Sequence, residues 1–232
     1  MPASIKKSYT CALYSSRLYQ LITVACRTGI LLFILIYIIA SRYYPGGSDY
    51  DRFAKGFDWL HNYWCELLAA NAKSGEPNAA SPIAIGAFIV LDLVLLLCWL
   101  QASFLYRRDQ FAGRSIIICG IMSCISLAFM SSPSHDLVIN IAGGFGLVAL
   151  VLTMAGLLKR KYYFSFILGL ICVFLFFLNT YIYYTRTWFD SLAVVQKISF
   201  AAFLWWYWIV AGIAKPANIK SPPLQGNDGQ VY

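Results

Sequence analysis

The chain has 232 residues, 60% of them hydrophobic and only 12% charged, with a mean hydropathy of +0.66. Soluble domains are roughly half apolar and about one quarter charged, so the composition excludes a soluble domain. The formal charge of +8 would suit a nucleic-acid partner, but the placement of the basic residues, traced below, assigns it to membrane topology and leaves no nucleic-acid partner.

Residues Met1 to Gln20 are polar, carry Lys6, Lys7 and Arg17, and contain no short apolar stretch ending in small residues. This stretch predicts a cytoplasmic N-terminal segment, 1–20, without a cleaved signal peptide. Six apolar runs follow at about 21–41, 82–104, 115–130, 137–158, 163–184 and 194–214. Each approaches the ~20 residues needed to cross about 30 Å of hydrocarbon. The third is the shortest and should borrow a residue or two at each end. The expected fold is all-α, an integral membrane six-helix bundle spanning 21–214. The stretch 215–232 holds three prolines and two glycines without apolar periodicity, and it reads as a disordered cytoplasmic tail.

The longest connection, Arg42 to Ser81, opens on Tyr-Tyr-Pro-Gly-Gly-Ser-Asp, a turn-rich stretch. Phe53, Phe57, Leu60, Trp64, Leu67 and Leu68 then recur at helical spacing, with Lys55, Asp58, Asn62 and Glu66 on another face. That pattern predicts an amphipathic helix of about four turns, lying as a lid on the bundle mouth. His61 falls on the apolar stripe and should point down into the bundle.

Basic residues set the orientation. Lys6, Lys7, Arg107, Arg108, Lys159, Arg160 and Lys161 share one side with both termini, whereas acids balance the bases on the other side. The chain is therefore expected in a cell membrane with both termini cytoplasmic. Seven cysteines form no CxxC pair and no metal-finger spacing, and most lie within spans, where they act as small apolar residues.

Polar groups inside the runs are the functional signal. Asp92 stands alone in the run Ile83 to Leu100, about 15 Å below Pro82 by helical rise. A charge at that depth costs at least about 2.5 kcal/mol. It is expected either to pair with Arg27 or Lys197 or to stay protonated. Asn140, Asn179 and Lys197 lie within roughly 5–8 Å of the outer boundary. His135 and Asp136 open the fourth span, and His61 and Glu66 belong to the loop. These groups cluster in the outer half, which predicts a polar, outward-facing cavity under the loop helix. The competing expectation is that each one hydrogen-bonds a neighbouring helix. Ala142, Gly143 and Gly146 form a small-residue face, which predicts a central fourth helix with two neighbours or a contact to another copy.

The segments Cys65-Glu66-Leu67-Leu68 and Gly75-Glu76-Pro77-Asn78, His135 after Ser132-Pro133, and Gln196-Lys197-Ile198 opening a tryptophan-rich last span go together. In them the chain resembles the six-helix bacterial membrane proteins grouped as "domain of unknown function 998". It is more distantly similar to the N-terminal membrane domain of Cwh43-type lipid-remodelling proteins. The group carries Ser-Asp-Leu-Gly or Ser-Glu-Leu-Gly where this chain reads Cys65-Glu66-Leu67-Leu68; the acid is kept and the small flanking residues are not. The resemblance implies weight for Glu66, His135 and Lys197 but no established activity.

The leading reading is a non-enzymatic membrane protein that binds a lipid headgroup or small molecule through His61, Glu66, Asp92, His135, Asp136, Asn140, Asn179 and Lys197. The second is a membrane-embedded lipid hydrolase or transferase, with His61, Glu66, His135 and Asp136 as a metal set on paper. No HExxH or i,i+4 histidine pair supports that set, so no metal or cofactor is assigned. The third is an assembly partner acting through Ala142, Gly143 and Gly146. Transport is less attractive, because no internal repeat is visible.

Overall fold

Lipid offers no partner for a backbone N–H or C=O, so each apolar run must close its own hydrogen bonds as a helix. A computed structural model describes residues 3–106, 109–130, 132 and 134–213, with the side chains of 3–16 and His135 outside that description. It contains six long helices: α1 Ala3–Ser41, α2 Ser81–Ser103, α3 Gln110–Leu127, α4 His135–Lys159, α5 Tyr163–Thr185 and α6 Leu192–Ile213. Each is long and apolar enough to cross a membrane. The protein is an all-α, multi-pass membrane protein.

Local chemistry sets the helix ends. Pro82 sits in the first turn of α2, where its missing N–H costs nothing. Asp109 caps α3 by accepting the Ala112 N–H at 3.1 Å. Arg186 ends α5 with a left-handed backbone, φ 58°. Helix α1 begins at Ala3, so the helix of the first span continues back through most of the stretch expected as a separate N-terminal segment. The expected tail, 215–232, lies outside the described residues.

Consecutive helices pack side by side, and α1 also meets α6. Helix α4 touches α3 and α5, the two neighbours expected of it, with a lighter contact to α2. The more central helix is α2, which meets α1, α3, α4, α6 and the long loop. Outward faces carrying Leu31, Leu35, Ile89, Leu93, Phe174 and Phe177 stay exposed, as lipid-facing surfaces must.

Close approach of α2 and α3 depends on Gly120, where a Cβ would lie 2.5 Å from Cγ of Trp99. Gly120→Ala should therefore push the helices apart and cost about 1–3 kcal/mol, the usual penalty of overpacking. A lowered unfolding temperature of the purified variant in detergent, against an unchanged Gly144→Ala control whose Cβ meets open space, is the check.

At the end away from the loop, Tyr19 and Thr23 of α1 both donate to the Ala211 carbonyl at 3.0 Å, and Gln101 donates to Thr23 at 2.9 Å. Arg27 reaches the Trp208 carbonyl at 3.3 Å and lies over its ring. The cluster is a satisfied hydrogen-bond network that ties α1, α2 and α6 together.

Candidate functional site

Residues 42–80 fold into an irregular cap rather than the expected amphipathic helix; the only helical piece is a short 3-10 segment, Trp64–Leu68. The reason lies in the polar side chains. Asp58 Oδ1 accepts the Leu60 N–H and Asn62 Oδ1 accepts the Asp58 N–H, bonds that compete with a helical ladder. Gly56 adds a left-handed kink at φ 72°. The assigned faces are also exchanged in part. Phe53 is 94% and Leu60 62% exposed, while Asn62 is fully buried and Glu66 only 6% exposed.

Two asparagines organise this cap. Asn62 Nδ2 donates to the Gly47 carbonyl at 2.6 Å and to Glu66 Oε2 at 2.5 Å. Asn78 Nδ2 lies 3.1, 3.3 and 2.8 Å from the carbonyls of Glu66, Leu67 and Ala69, and its Oδ1 accepts the Ala80 N–H at 3.0 Å. Three further bonds hold the cap to the bundle. Tyr37 of α1 donates to the Trp64 carbonyl at 2.8 Å, Gln196 of α6 accepts the Trp64 N–H at 3.0 Å, and Lys197 donates to the Asn62 carbonyl at 2.6 Å.

Beneath the cap lies a cavity of about 730 Å³, lined by α2 to α6 and by the loop. Its rim, at the loop end, carries Asp49, Glu66, Lys73, Asp136, Asn140 and Arg186. Its depth is lined by Leu91, Leu95, Trp99, Leu147, Leu150, Phe203 and Tyr207. Asp136 to Leu150 on α4 spans about 21 Å, and Leu192 to Tyr207 on α6 about 22 Å, by helical rise. Both exceed the roughly 15 Å of hydrocarbon in one leaflet. The space is thus an apolar shaft with a polar mouth, where a polar cavity was expected.

Glu66, Asp136, Asn140 and Asn179 all line it. Asp136 accepts the Tyr183 hydroxyl at 2.8 Å, and Asn140 donates to the Tyr184 hydroxyl at 2.9 Å. Asn179 donates to Ser199, which joins α5 to α6. His61, Asp92 and Lys197 are not among the lining residues. His61 stacks on Tyr50, with ring centroids 4.4 Å apart, and bonds Asp58 at 2.6 Å instead of entering the bundle. That bond holds the Asp58 carboxyl below its ordinary value. Lys197 is spent on the Asn62 and Ala193 carbonyls. Arg27 is likewise engaged at Trp208, so neither expected cation pairs with Asp92. Among the described residues Asp92 Oδ1 is shielded without a hydrogen-bond partner, while Cys124 approaches the Asp92 carbonyl at 3.8 Å. The His135 side chain lies outside the described residues.

Glu66 is the electrostatic centre of the rim. Burial pushes its carboxyl up to about 7, while the Asn62 hydrogen bond and nearby Lys73 pull the other way. Its Oε1 is buried without a hydrogen bond among the described residues, and Lys73 Nζ lies 3.7 Å from it and 2.5 Å from Asp49. Arg186 lies over Phe189 at 4.4 Å and Tyr183 at 5.2 Å. Burial raises the Cys65 thiol to about 11, which keeps it protonated at neutral pH and a poor nucleophile. Among the described residues no three His, Cys, Asp or Glu side chains gather as a metal set.

Sequence reasoning missed Asp49, Lys73, Arg186 and Gln196 at this rim. Asp49, Lys73 and Arg186 looked like ordinary loop charges, and Gln196 was overshadowed by Lys197 beside it. The small residues of α4 are used within the chain: the Ala142 carbonyl accepts Ser123 at 2.9 Å, and a Cβ on Gly146 would lie 3.2 Å from that hydroxyl. A Cβ on Gly143 would lie 2.9 Å from the Phe176 ring of α5. The fold and the cavity define a six-helix multi-pass membrane protein with a capped, mostly apolar internal shaft. No protein-family model, curated protein or solved structure matches the chain.

Proposed function

We propose that this protein binds one membrane lipid, with its acyl chain in the shaft and its headgroup at the Glu66 rim. The observation that carries the reading is the join of an apolar shaft, longer than one leaflet, to a rim of charged groups within a single cavity. Ligand sites generally combine mostly apolar walls with a few placed polar groups, and this volume falls in their usual range of roughly 300–1,000 Å³. The family resemblance around Cys65-Glu66-Leu67-Leu68 supports the weight placed on Glu66. The surplus of Lys and Arg on the opposite side supports placing the cap outside the cell and both termini in the cytoplasm.

Leu147→Trp fills the shaft from α4. Purified in mild detergent, the wild-type chain should retain one lipid per protein by native mass spectrometry, and this variant should retain none. Leu93, 59% exposed on the lipid face, supplies the control: Leu93→Trp should keep the lipid. Equal retention in all three proteins means that the lipid is merely peripheral, and the reading fails.

A further inference from the structure

Five charged side chains line the cavity: Asp49, Glu66, Lys73, Asp136 and Arg186. Lys73 pairs with Asp49 and also lies within ion-pair distance of Glu66 Oε1, at 3.7 Å, and Asp136 accepts the Tyr183 hydroxyl. Two opposite charges face an occupant: Glu66, whose Oε1 Lys73 approaches without a hydrogen bond, and Arg186. Glu66 Oε1 is buried and has no hydrogen bond among the described residues. The Arg186 guanidinium lies over the faces of Phe189 and Tyr183, and among the described residues no carboxylate pairs with it, which leaves its N–H fork for a phosphate. A chain of contacts links the two residues: the Tyr63 carbonyl accepts the Glu66 N–H at 3.2 Å, the Tyr63 and Phe189 ring centres are 6.4 Å apart, and Arg186 lies over Phe189.

We infer that the occupant carries a phosphate ester joined to a primary ammonium, the headgroup chemistry of an ethanolamine phospholipid. The ammonium donates to Glu66 Oε1 and the phosphate is held by Arg186. This assignment rests on the lipid-binding reading above and adds the headgroup class to it. The chemistry also separates close alternatives. A choline headgroup has the same charges but no N–H, and it would leave Oε1 unsatisfied. A glycerol headgroup supplies hydroxyl donors but no cation. Sites built to receive a hydrogen bond reject analogues that lack it far better than apolar sites reject a change in size.

The test uses the full chain, delipidated in detergent and titrated with phospholipids of one acyl length bearing ethanolamine, choline or glycerol headgroups, and with free phosphoethanolamine. Tryptophan fluorescence and thermal shift report binding. The ethanolamine lipid should bind at least about tenfold more tightly than the choline lipid, the factor expected for one charge-assisted hydrogen bond. Glu66→Gln should erase that preference, whereas Arg186→Gln should weaken both lipids and leave the preference in place. Equal binding of the ethanolamine and choline lipids, or tighter binding of the choline or glycerol lipid, overturns the headgroup assignment and leaves the lipid site standing. Free phosphoethanolamine binding as tightly as the lipid assigns the site to a soluble ligand and overturns the lipid source. If wild-type protein binds none of the lipids, the lipid-binding reading itself falls.

Discussion

Glu66→Gln should abolish a pH dependence of stability that the wild-type protein shows between about pH 4.5 and 7. The carboxyl holds its proton up to about 7 in the folded chain, against an ordinary value of 4.5, because burial penalises the ionised form. Folding therefore favours the protonated acid. The stabilisation is complete below 4.5 and disappears as pH rises through 7. The gap is worth roughly 3 kcal/mol. Asp49, Lys73, Cys65, Tyr63, Tyr44 and Lys197 surround the group electrostatically, and all are retained in the variant. The difference between wild type and Glu66→Gln therefore isolates Glu66. Apparent unfolding temperatures of delipidated protein from pH 5 to 8.5 provide the measurement: the wild-type curve should fall towards high pH relative to the variant. Parallel curves would show that Glu66 titrates normally and that water reaches Oε1. A bound ammonium should ease the fall, since it stabilises the ionised carboxylate.

Asn78→Ala should be the most damaging single change in the cap, at about 3 kcal/mol. Its amide contacts three carbonyls and caps the approach to α2 through the Ala80 N–H, all in a side chain 5% exposed. Truncation strands several buried groups at once, each costing roughly 1–3 kcal/mol when unsatisfied. Asn78→Asp is the informative companion. Its shape is the same, but an ionised carboxylate only accepts, so it would face the three carbonyls without a proton to give. It should be at least as destabilised as the alanine variant near neutral pH. Faster protease cleavage within residues 42–80, with α1 to α6 left intact, would locate the damage in the cap. Wild-type cleavage rates in both variants would remove Asn78 from its organising role. Because one of those carbonyls belongs to Glu66, lipid retention should fall with cap order.

The membrane helices were legible because lipid imposes one rule on every residue in a span: its backbone must be satisfied locally. Apolar runs of sufficient length then have a single outcome, and each of the six overlaps one of α1 to α6, although α1 starts as early as Ala3 and α3 starts at Gln110 and ends at Leu127. The rule has no force in the cap. There Phe53, Phe57, Leu60 and Trp64 kept a helical spacing that the backbone does not follow, because Asp58 and Asn62 offered it other hydrogen-bond partners.

The candidate site was half legible for a related reason. Counting rise put Asn140 and Asn179 near one end of their helices, beside Asp136 at the start of the fourth, and all three line the cavity. Depth says nothing about azimuth. One residue of rotation separates Gln196, which bonds the cap and lines the cavity, from Lys197, which bonds the cap and does not line it. Asp92, the most conspicuous residue in the chain, lies beside Leu91 on α2 and misses the shaft that Leu91 lines.

Taken alone, the order of residues determined the class of protein and the number of its long apolar helices, and it marked out the polar groups within them. Each of these follows from local composition and from the solvent around the chain. Only the packed structure decided which of those groups share a space, that the shaft below them is apolar, and that Glu66 is enclosed beside Asn62 and Lys73. Those outcomes depend on helix rotation and on a loop folding back on itself, and contacts between residues far apart in the chain control both.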